Sequence, residues 1–172
     1  TLKEKFSYRD SAERGEYKNL DNRLIEAFIE DNRDNFEFFL FTQYLCEKQW
    51  GALKAYANGK GVEILGDIPI YLARDSVEVW KYGKELFSLS EDGSPSEVAG
   101  VPPDAFSEDG QLWGNPVYDW EKMKKNGYAW WKNRLNYCLS VYDIVRLDHF
   151  RGFDRYYCIK SSEKSAKNGE WK

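Results

Sequence analysis

The sequence predicts an α/β fold built around a parallel sheet. Segments with helical periodicity alternate with strand-like segments, in the order helix, strand, helix, strand. The first predicted strand, residues 62–71, is mostly apolar, as expected of a strand covered by helices on both faces. With 172 residues, 42% of them hydrophobic, the chain can form one compact domain over residues 1–172.

The helical segments are predicted from the spacing of their apolar residues. Residues 1–20 are polar and are expected to form loop. A short helix is predicted over 22–30 and a longer one over 35–58, where Gly59 and Gly61 end the pattern. The aromatic stripe of the longer helix is wide, so we expect it to be buried on more than one side.

The remaining elements follow in chain order. Asp75 or Ser76 is expected to cap a short helix that reaches residue 80. Another helix is predicted over 119–141 and the second strand over 143–150, whereas the polar residues 160–172 are expected to end the folded part. Residues 83–118 are rich in Gly, Pro, Ser and Asp, so we predict a long binding loop there.

Composition excludes several functional classes. The net charge of −4 comes from 25 basic and 29 acidic residues without a basic block, so a nucleic-acid partner is not expected. An apolar run of membrane-spanning length is absent from the sequence, so a membrane partner is not expected either. The three cysteines form no CxxC pair, which argues against a zinc or disulfide framework and fits a reducing, cytoplasmic location.

The densest group of polar residues lies in residues 145–153, VRLDHFRGF, where the second predicted strand ends. Strand alternation places Arg146 and Asp148 on one face and His149, the single histidine, on the other. An arginine beside an aspartate favours the ionised carboxylate, which can act as a nucleophile. Asp67 occupies a similar position near the end of the first strand, and functional residues of parallel α/β folds cluster at such ends.

Three functional classes can use these residues. A glycoside-transforming enzyme would use one carboxylate as nucleophile and a second carboxylic acid as proton donor. A metal-assisted hydrolase would bind its ion through Asp67, Asp148 and His149, although strand alternation turns His149 away from Asp148. A non-catalytic sugar-binding domain would use the aromatic residues, 17% of the chain, as stacking surfaces. A structural Arg–Asp pair without chemistry is the fourth alternative.

Three long motifs decide which family the chain resembles. GDIPIYLARDSVEVW at 66–80, AGVPPDAFSEDGQLWGNPVYDW at 99–120 and VRLDHFRGF at 145–153 occur in this order. Together they closely resemble the central part of the 4-α-glucanotransferases, the amylomaltase or disproportionating-enzyme family (glycoside hydrolase family 77). The resemblance is specific over residues 60–160 and less distinctive before them.

The resemblance implies a fold and a reaction. The family fold is a (β/α)₈ TIM barrel with helical insertions, and this chain would supply about its third and fourth β/α units and a lid at 83–118. The family disproportionates α-1,4-glucans and maltooligosaccharides by a retaining double displacement through a covalent glucosyl-enzyme. The mechanism requires neither a cofactor nor a metal.

The resemblance also implies roles for individual residues. Asp148 matches the nucleophile and Arg146 the arginine that holds it, while Asp67 and His149 match substrate ligands. Further substrate contacts are expected on the loop, at Pro103, Asp104, Phe106, Trp113, Gly114 and Asn115. Ala105 departs from the many relatives that have Tyr there, which suggests an altered range of product lengths.

One catalytic group has no counterpart in this sequence. The family supplies its general acid/base from strands later than the one bearing Asp148, and Glu63, Glu78 and Glu163 do not match it. We therefore expect the chain to be a central fragment that is inactive alone. A partial barrel leaves strand edges unpaired, so self-association is expected as well.

Overall fold

The computed structural model describes residues 22–172, so the loop predicted for residues 1–20 lies outside the described residues. The described chain is mixed α/β. Its helices and strands, in order, are α1 (Asn22–Asp31), α2 (Arg33–Gly59), β1 (Leu65–Ile68), α3 (Val77–Tyr82), β2 (Glu97–Val101), β3 (Gln111–Pro116), α4 (Trp120–Lys125), α5 (Ala129–Val141), β4 (Ile144–Leu147), β5 (Tyr157–Lys160) and β6 (Glu170–Trp171). Short 3₁₀ turns occur at Gly83–Glu85, Phe150–Phe153 and Ala166–Asn168.

Two compact units divide the described chain. The first contains residues 22–68 and Trp131–Arg146 and includes α1, α2, β1 and most of α5 and β4. The second contains Pro69–Trp130 and Leu147–Lys172 and includes the other strands and the short helices α3 and α4. β1 and β4 are neighbours in a two-stranded sheet although they are far apart in sequence, so a crossover connects them.

Polar contacts in the first unit converge on Asp143, just before β4. Its Oδ2 accepts hydrogen bonds from Ile64 N at 2.9 Å and Asn58 Nδ2 at 2.8 Å, and Lys54 Nζ lies 3.3 Å from Oδ1. The hydrogen bond from the Ile64 backbone, followed by that from Asn58, lowers the pKa of Asp143. One carboxylate therefore links the end of α2 to the segments that lead into β1 and β4.

The ring of Tyr142 lies directly against the backbone of β1. A Cβ placed on Gly66 would lie 2.1 Å from Cδ2 of that ring, a distance that real Cβ contacts do not show. The same ring meets Trp50 edge-on with ring centroids 5.8 Å apart, and Trp50 Nε1 donates to Val141 O at 2.8 Å. Glycine is therefore required at position 66 because the aromatic ring occupies the space of a side chain.

The second unit is built on a four-stranded antiparallel sheet of order β3-β2-β5-β6. Val98 pairs with Ile159 and Gly100 with Tyr157, so β2 lies in register along β5. In the same unit, Tyr118 is almost completely buried, stacks on Phe87 and donates from its hydroxyl to Ile70 O at 2.7 Å. Apolar burial and a satisfied hydroxyl both stabilise this packing.

Several predicted elements are confirmed. The helix predicted over 22–30 is α1, the helix predicted over 35–58 is α2, and the two predicted strands contain β1 and β4. Ser76 caps α3, because its side chain accepts a hydrogen bond from Val79 N at 3.3 Å.

Other predictions are wrong. Residues 83–118 are not a continuous loop, because they contain β2 and β3, and residues 160–172 contribute β6 to the sheet. The helix predicted over 119–141 is interrupted at Gly127 and Tyr128, whose φ values of 67° and 58° are incompatible with a right-handed helix. The antiparallel sheet of the second unit was not predicted at all.

The expected burial of α2 is also wrong for residues 22–172. No residue of α2 is buried, and Phe38 exposes 72% of its surface. Its contacts with α5 and with the segment before β4 lie towards its C-terminal end, at Trp50, Lys54 and Asn58. The aromatic run at residues 38–41 is thus an exposed apolar surface of the described chain.

Among residues 22–172, none of the helices combines the length and the apolar character needed to cross a membrane.

Candidate active site

Asp67 and Arg146 form an ion pair within the first unit. Each is the third residue of its strand, and the two strands are neighbours. Arg146 Nη1 donates to Asp67 Oδ2 at 2.5 Å, and the side chains remain 56% and 53% exposed. Ion pairs this exposed contribute at most about 1 kcal/mol to stability. The pair therefore brings two charged groups together but contributes little to the stability of the fold. Residues that bind ligands often have this property.

Asp148 and His149 follow β4 and belong to the second unit. β4 ends at Leu147, so the predicted alternation that placed Arg146 and Asp148 on one face and His149 on the other does not extend to these residues. His149 adopts φ 51° and ψ 45°, a left-handed conformation that changes the direction of the chain before the turn Phe150–Phe153. The Asp148 side chain is exposed.

His149 belongs to an aromatic cluster in the second unit. Its ring meets Trp113 edge-on with centroids 5.0 Å apart, and the Tyr71 ring lies 6.3 Å from His149 and 6.0 Å from Trp113. Tyr71 in turn stacks on the buried Tyr118. The structure therefore brings together two predicted site residues, His149 and Trp113, and adds Tyr71, which the sequence indicated only as the end of a strand.

Two polar atoms of this cluster are buried without a hydrogen-bond partner among the described residues, Tyr71 Oη and His149 Nε2. An unsatisfied buried polar atom costs about 1–3 kcal/mol, so each of these two atoms requires a partner such as a water molecule or a ligand. Burial lowers the pKa of His149, outweighing the opposing effect of Asp148, and burial raises the pKa of Tyr71. Both groups are accordingly neutral at pH 7.

The predicted loop residues lie on the hairpin formed by β2 and β3. Asp104 Oδ1 accepts hydrogen bonds from Phe106 N and Ser107 N, both at 2.8 Å, so this carboxylate shapes the turn. The Phe106 side chain is 98% exposed, and Pro103 is exposed nearby.

The predicted residues of β3 have separate environments. Trp113 Nε1 donates to Gln111 Oε1 at 3.0 Å, leaving 37% of the tryptophan exposed. Asn115 Nδ2 donates to Leu72 O at 2.8 Å, which ties β3 to the segment that follows Tyr71. Gly114, between them, has φ 79°. The Asn115 side chain thus has a structural role, because it connects β3 to the backbone at Leu72.

One group of possible metal ligands occurs among residues 22–172 and contains Glu97, Cys158 and Glu170. Lys172 Nζ already lies 2.6 and 2.7 Å from the two carboxylate oxygens of Glu97 and 3.3 Å from Glu170. The hydrogen bond to Glu97 raises the pKa of Lys172, whereas burial raises that of Cys158. An ammonium group paired with the carboxylates and a protonated thiol describe an ion-pair network better than a cation site.

Comparison with known proteins identifies the family. The family model described as 4-alpha-glucanotransferase matches residues 1–172. The chain belongs to the 4-alpha-glucanotransferase family. A 4-alpha-glucanotransferase of Clostridium butyricum is 46% identical over 151 residues, covering 87% of this chain and 31% of that protein. The 4-alpha-glucanotransferase of Thermus thermophilus is 51% identical over 134 residues, covering 78% of this chain and 27% of that protein. The chain therefore spans between about a quarter and a third of the length of these two family members.

A solved structure of the family supports the fold. The amylomaltase from Streptococcus agalactiae, in complex with acarbose, is 40% identical and covers 99% of this chain and 35% of its own, with a TM-score of 0.89. The amylomaltase from Corynebacterium glutamicum is 23% identical with a TM-score of 0.67 over 78% of this chain and 18% of its own, and it shows likeness of fold alone. The mixed α/β architecture is accordingly that of amylomaltases.

Proposed function

We propose that this chain carries the nucleophile and part of the substrate site of a 4-alpha-glucanotransferase, which transfers α-1,4-glucan segments between maltooligosaccharides. The observation that carries the proposal is the likeness, over 99% of this chain, to an amylomaltase in complex with acarbose. The family match over residues 1–172 supports the same reaction class.

In the proposed reaction, a carboxylate oxygen of Asp148 attacks the anomeric carbon of a bound glucan. The glycosidic bond breaks as a separate carboxylic acid protonates the leaving oxygen, and a glucosyl ester forms on Asp148. The hydroxyl of an acceptor glucan then attacks the anomeric carbon of this ester, and the acid, now a base, removes the hydroxyl proton. The bond between the anomeric carbon and Asp148 breaks, which frees the carboxylate for the next cycle. The exposure of Asp148 supports this role, since the nucleophile must reach the sugar.

Arg146 is the cation proposed to hold Asp148, from which it is separated by one residue in the sequence. Its ion pair with Asp67 supports a second function, the orientation of a carboxylate that accepts hydrogen bonds from sugar hydroxyls. We assign no acid/base, because Glu63, Glu78 and Glu163 do not match the family pattern. We accordingly propose that the 172-residue chain is inactive by itself.

The aromatic cluster is the proposed sugar-contacting surface of the second unit. Trp113 has exposed ring area on which an apolar face of glucose can stack. His149 and Tyr71 provide neutral polar atoms without hydrogen-bond partners among residues 22–172, and such atoms suit sugar hydroxyl groups. Pro103, Asp104, Phe106, Gly114 and Asn115 remain proposed contacts of the hairpin. Asp104 and Asn115 would contribute mainly by shaping the hairpin, given their backbone hydrogen bonds.

The architecture proposed for the complete catalytic domain is a (β/α)₈ barrel in which this chain forms about the third and fourth units, with residues 83–118 as the lid. The crossover between β1 and β4 supports the barrel assignment. We also propose a cytoplasmic location and self-association of the isolated chain. The exposed aromatic run at 38–41 supports self-association, and a monomer by light scattering at high concentration would count against it.

The decisive test uses a chimera in which this chain replaces the matched segment of the Clostridium butyricum enzyme. With maltotriose, we expect glucose and longer maltooligosaccharides from the chimera and neither from the 172-residue chain. Asp148→Asn should abolish transfer, whereas Asp154→Asn, another exposed carboxylate, should leave it unchanged. Transfer that survives Asp148→Asn would reject the nucleophile assignment.

The same assay separates the two alternative functions. Loss of activity in the presence of a chelator would favour the metal-assisted hydrolase. Maltooligosaccharide binding by the chimera without turnover would favour the non-catalytic glucan-binding domain.

A further inference from the structure

The hairpin loop (residues 102–110) connects β2 to β3 and contains the most exposed ring described for this chain, that of Phe106. An exposed ring on a loose loop would lose conformational freedom on meeting a ligand, and that loss weakens binding. The contacts that hold the loop therefore determine how much the ring can contribute to the free energy of ligand binding.

The tip of the loop is fixed by its own hydrogen bonds. Asp104 N donates to Ser107 O at 3.0 Å. Asp104 Oδ1 also accepts the hydrogen bonds from Phe106 N and Ser107 N described above. Ser107 Oγ donates to Gly110 O at 2.7 Å, and Gly110 N donates to Ser107 O at 3.1 Å. These bonds define the shape of the tip but leave its position relative to the sheet to other contacts.

The second half of the loop is held by the anchoring turn (Ala166–Asn168). Ala166 N donates to Asp109 O at 3.1 Å, and Lys167 Nζ lies 2.6 Å from Asp109 Oδ1. A Cβ on Gly110 would lie 2.4 Å from Val101 O and 2.8 Å from the Ala166 side chain, and its φ is 66°. Loop and turn are therefore in close contact, and only glycine fits at position 110.

The anchoring turn is itself fixed to the sheet. Ala166 is 1% exposed and packs with Val98, Tyr157 and Ile159 in one buried cluster. Tyr157 Oη donates to Ala166 O at 2.8 Å. A continuous series of contacts thus connects the core of the sheet, through the anchoring turn, to Asp109 and Gly110. The backbone of the loop then connects these residues to Phe106.

From these contacts we propose that Asp109, Gly110, Ala166 and Lys167 are positioning residues that hold Phe106 in place for α-glucan binding. The glucan part rests on the proposed function, whereas the positioning part rests on the contacts between the hairpin loop and the anchoring turn. Phe106 is the group that would touch the sugar, and the four positioning residues act through it.

The first measurement is hydrogen exchange of the Phe106 and Ser107 amides in the 172-residue chain. Gly110→Ala should accelerate exchange on the order of tenfold, because the new methyl group overlaps Val101 O and Ala166. Gly93→Ala is the matched control, since Gly93 has φ 81° but nothing within 4 Å of its Cβ position. Unchanged exchange in Gly110→Ala would overturn the positioning role.

A milder variant covers the case in which Gly110→Ala does not fold. Asp109→Lys and Lys167→Asp should each accelerate exchange of the same amides about two- to fivefold, the range expected for an exposed ion pair. The double variant, in which the two charges are swapped, should restore slow hydrogen exchange. Equal acceleration in the single and double variants would overturn a role for the ion pair.

The second measurement tests the glucan part in the chimera. Phe106→Ala and Gly110→Ala should each raise KM for maltotriose by about three- to tenfold with kcat retained. In the Phe106→Ala background, Gly110→Ala should add little, which a general loss of stability would not reproduce. An unchanged KM in Phe106→Ala would overturn the glucan contact. A chimera without any transfer activity would instead contradict the proposed function, and the exchange result would stand.

Discussion

Arg146 donates a 2.5 Å hydrogen bond to Asp67 across two neighbouring strands, although 79 residues separate them in sequence. Both side chains are more than half exposed, so Asp67→Asn should lower the free energy of unfolding by no more than about 1 kcal/mol. In the chimera it should lower the transfer rate at least about tenfold, because an oriented charge at the proposed sugar site is lost. Urea unfolding and maltotriose kinetics measure the two effects.

Glu30→Gln provides the control for the Asp67 variant. Glu30 pairs with Arg33 on the surface of the first unit, with exposure similar to that of the Asp67–Arg146 pair. We expect the same small change in stability and no change in rate. A large loss of stability in Asp67→Asn would show that the pair supports the fold instead.

The titration of His149 can be followed without ambiguity because it is the only histidine of the chain. Burial lowers its pKa, so proton NMR of the imidazole should give a midpoint below about 6.5 in the folded chain. In urea the midpoint should return to about 6.5. A folded midpoint above the unfolded one would contradict the burial of this ring.

The same shift sets the sign of a pH effect on stability. The unfolded chain takes up the proton first as the pH falls, so the neutral ring stabilises the folded state fully above about pH 6.5. This contribution should decline as the pH falls from there towards the folded pKa. Asp143, whose pKa is lowered by the Ile64 backbone and Asn58, should add a second loss at more acidic pH.

Tyr118→Phe should destabilise the second unit. The variant keeps the ring but removes the hydroxyl that donates to Ile70 O, leaving a buried carbonyl without that partner, at a cost of about 1–3 kcal/mol. Tyr137→Phe is the control, because Tyr137 is 69% exposed and should change stability by less than about 0.5 kcal/mol. Equal effects in urea unfolding would contradict the buried hydrogen bond.

Ala105→Tyr in the chimera should alter the range of product lengths made from maltotriose. Ala105 is exposed between Asp104 and Phe106, so a tyrosine there would add a second aromatic ring beside that of Phe106. Chromatography of the products after equal conversion measures the change. An unchanged distribution of product lengths would contradict a role for this position in setting product length.

The helices and the strands of the first unit could be predicted because their signals are local. The spacing of apolar residues in α1 and α2 repeats within one or two turns, and in the second unit Ser76 immediately precedes the short apolar helix α3. The sheet of the second unit could not be predicted in this way. β2 and β3 contain Gly100, Gly114 and Pro116, and β2 pairs on its other edge with β5, which follows some 60 residues later.

The site was predicted in part for the same reason. The motif of residues 145–153 indicated Arg146, Asp148 and His149, but β4 ends at Leu147, so strand alternation does not determine the directions of the last two side chains. Tyr71 looked like an ordinary apolar residue at a strand end. Its proximity to His149 and Trp113 arises from long-range packing, which a single sequence does not reveal.

The absence of a side chain at position 66 has a consequence for anyone who reads function from a mutational scan. Every substitution at Gly66 must displace the ring of Tyr142 or the strand itself, and the next residue along that strand is Asp67. Activity would therefore fall steeply at a position that contributes no atom to the chemistry. In such data Gly66 would be indistinguishable from a catalytic residue unless folding were measured alongside, and Tyr142 would be the natural place to seek a compensating second mutation.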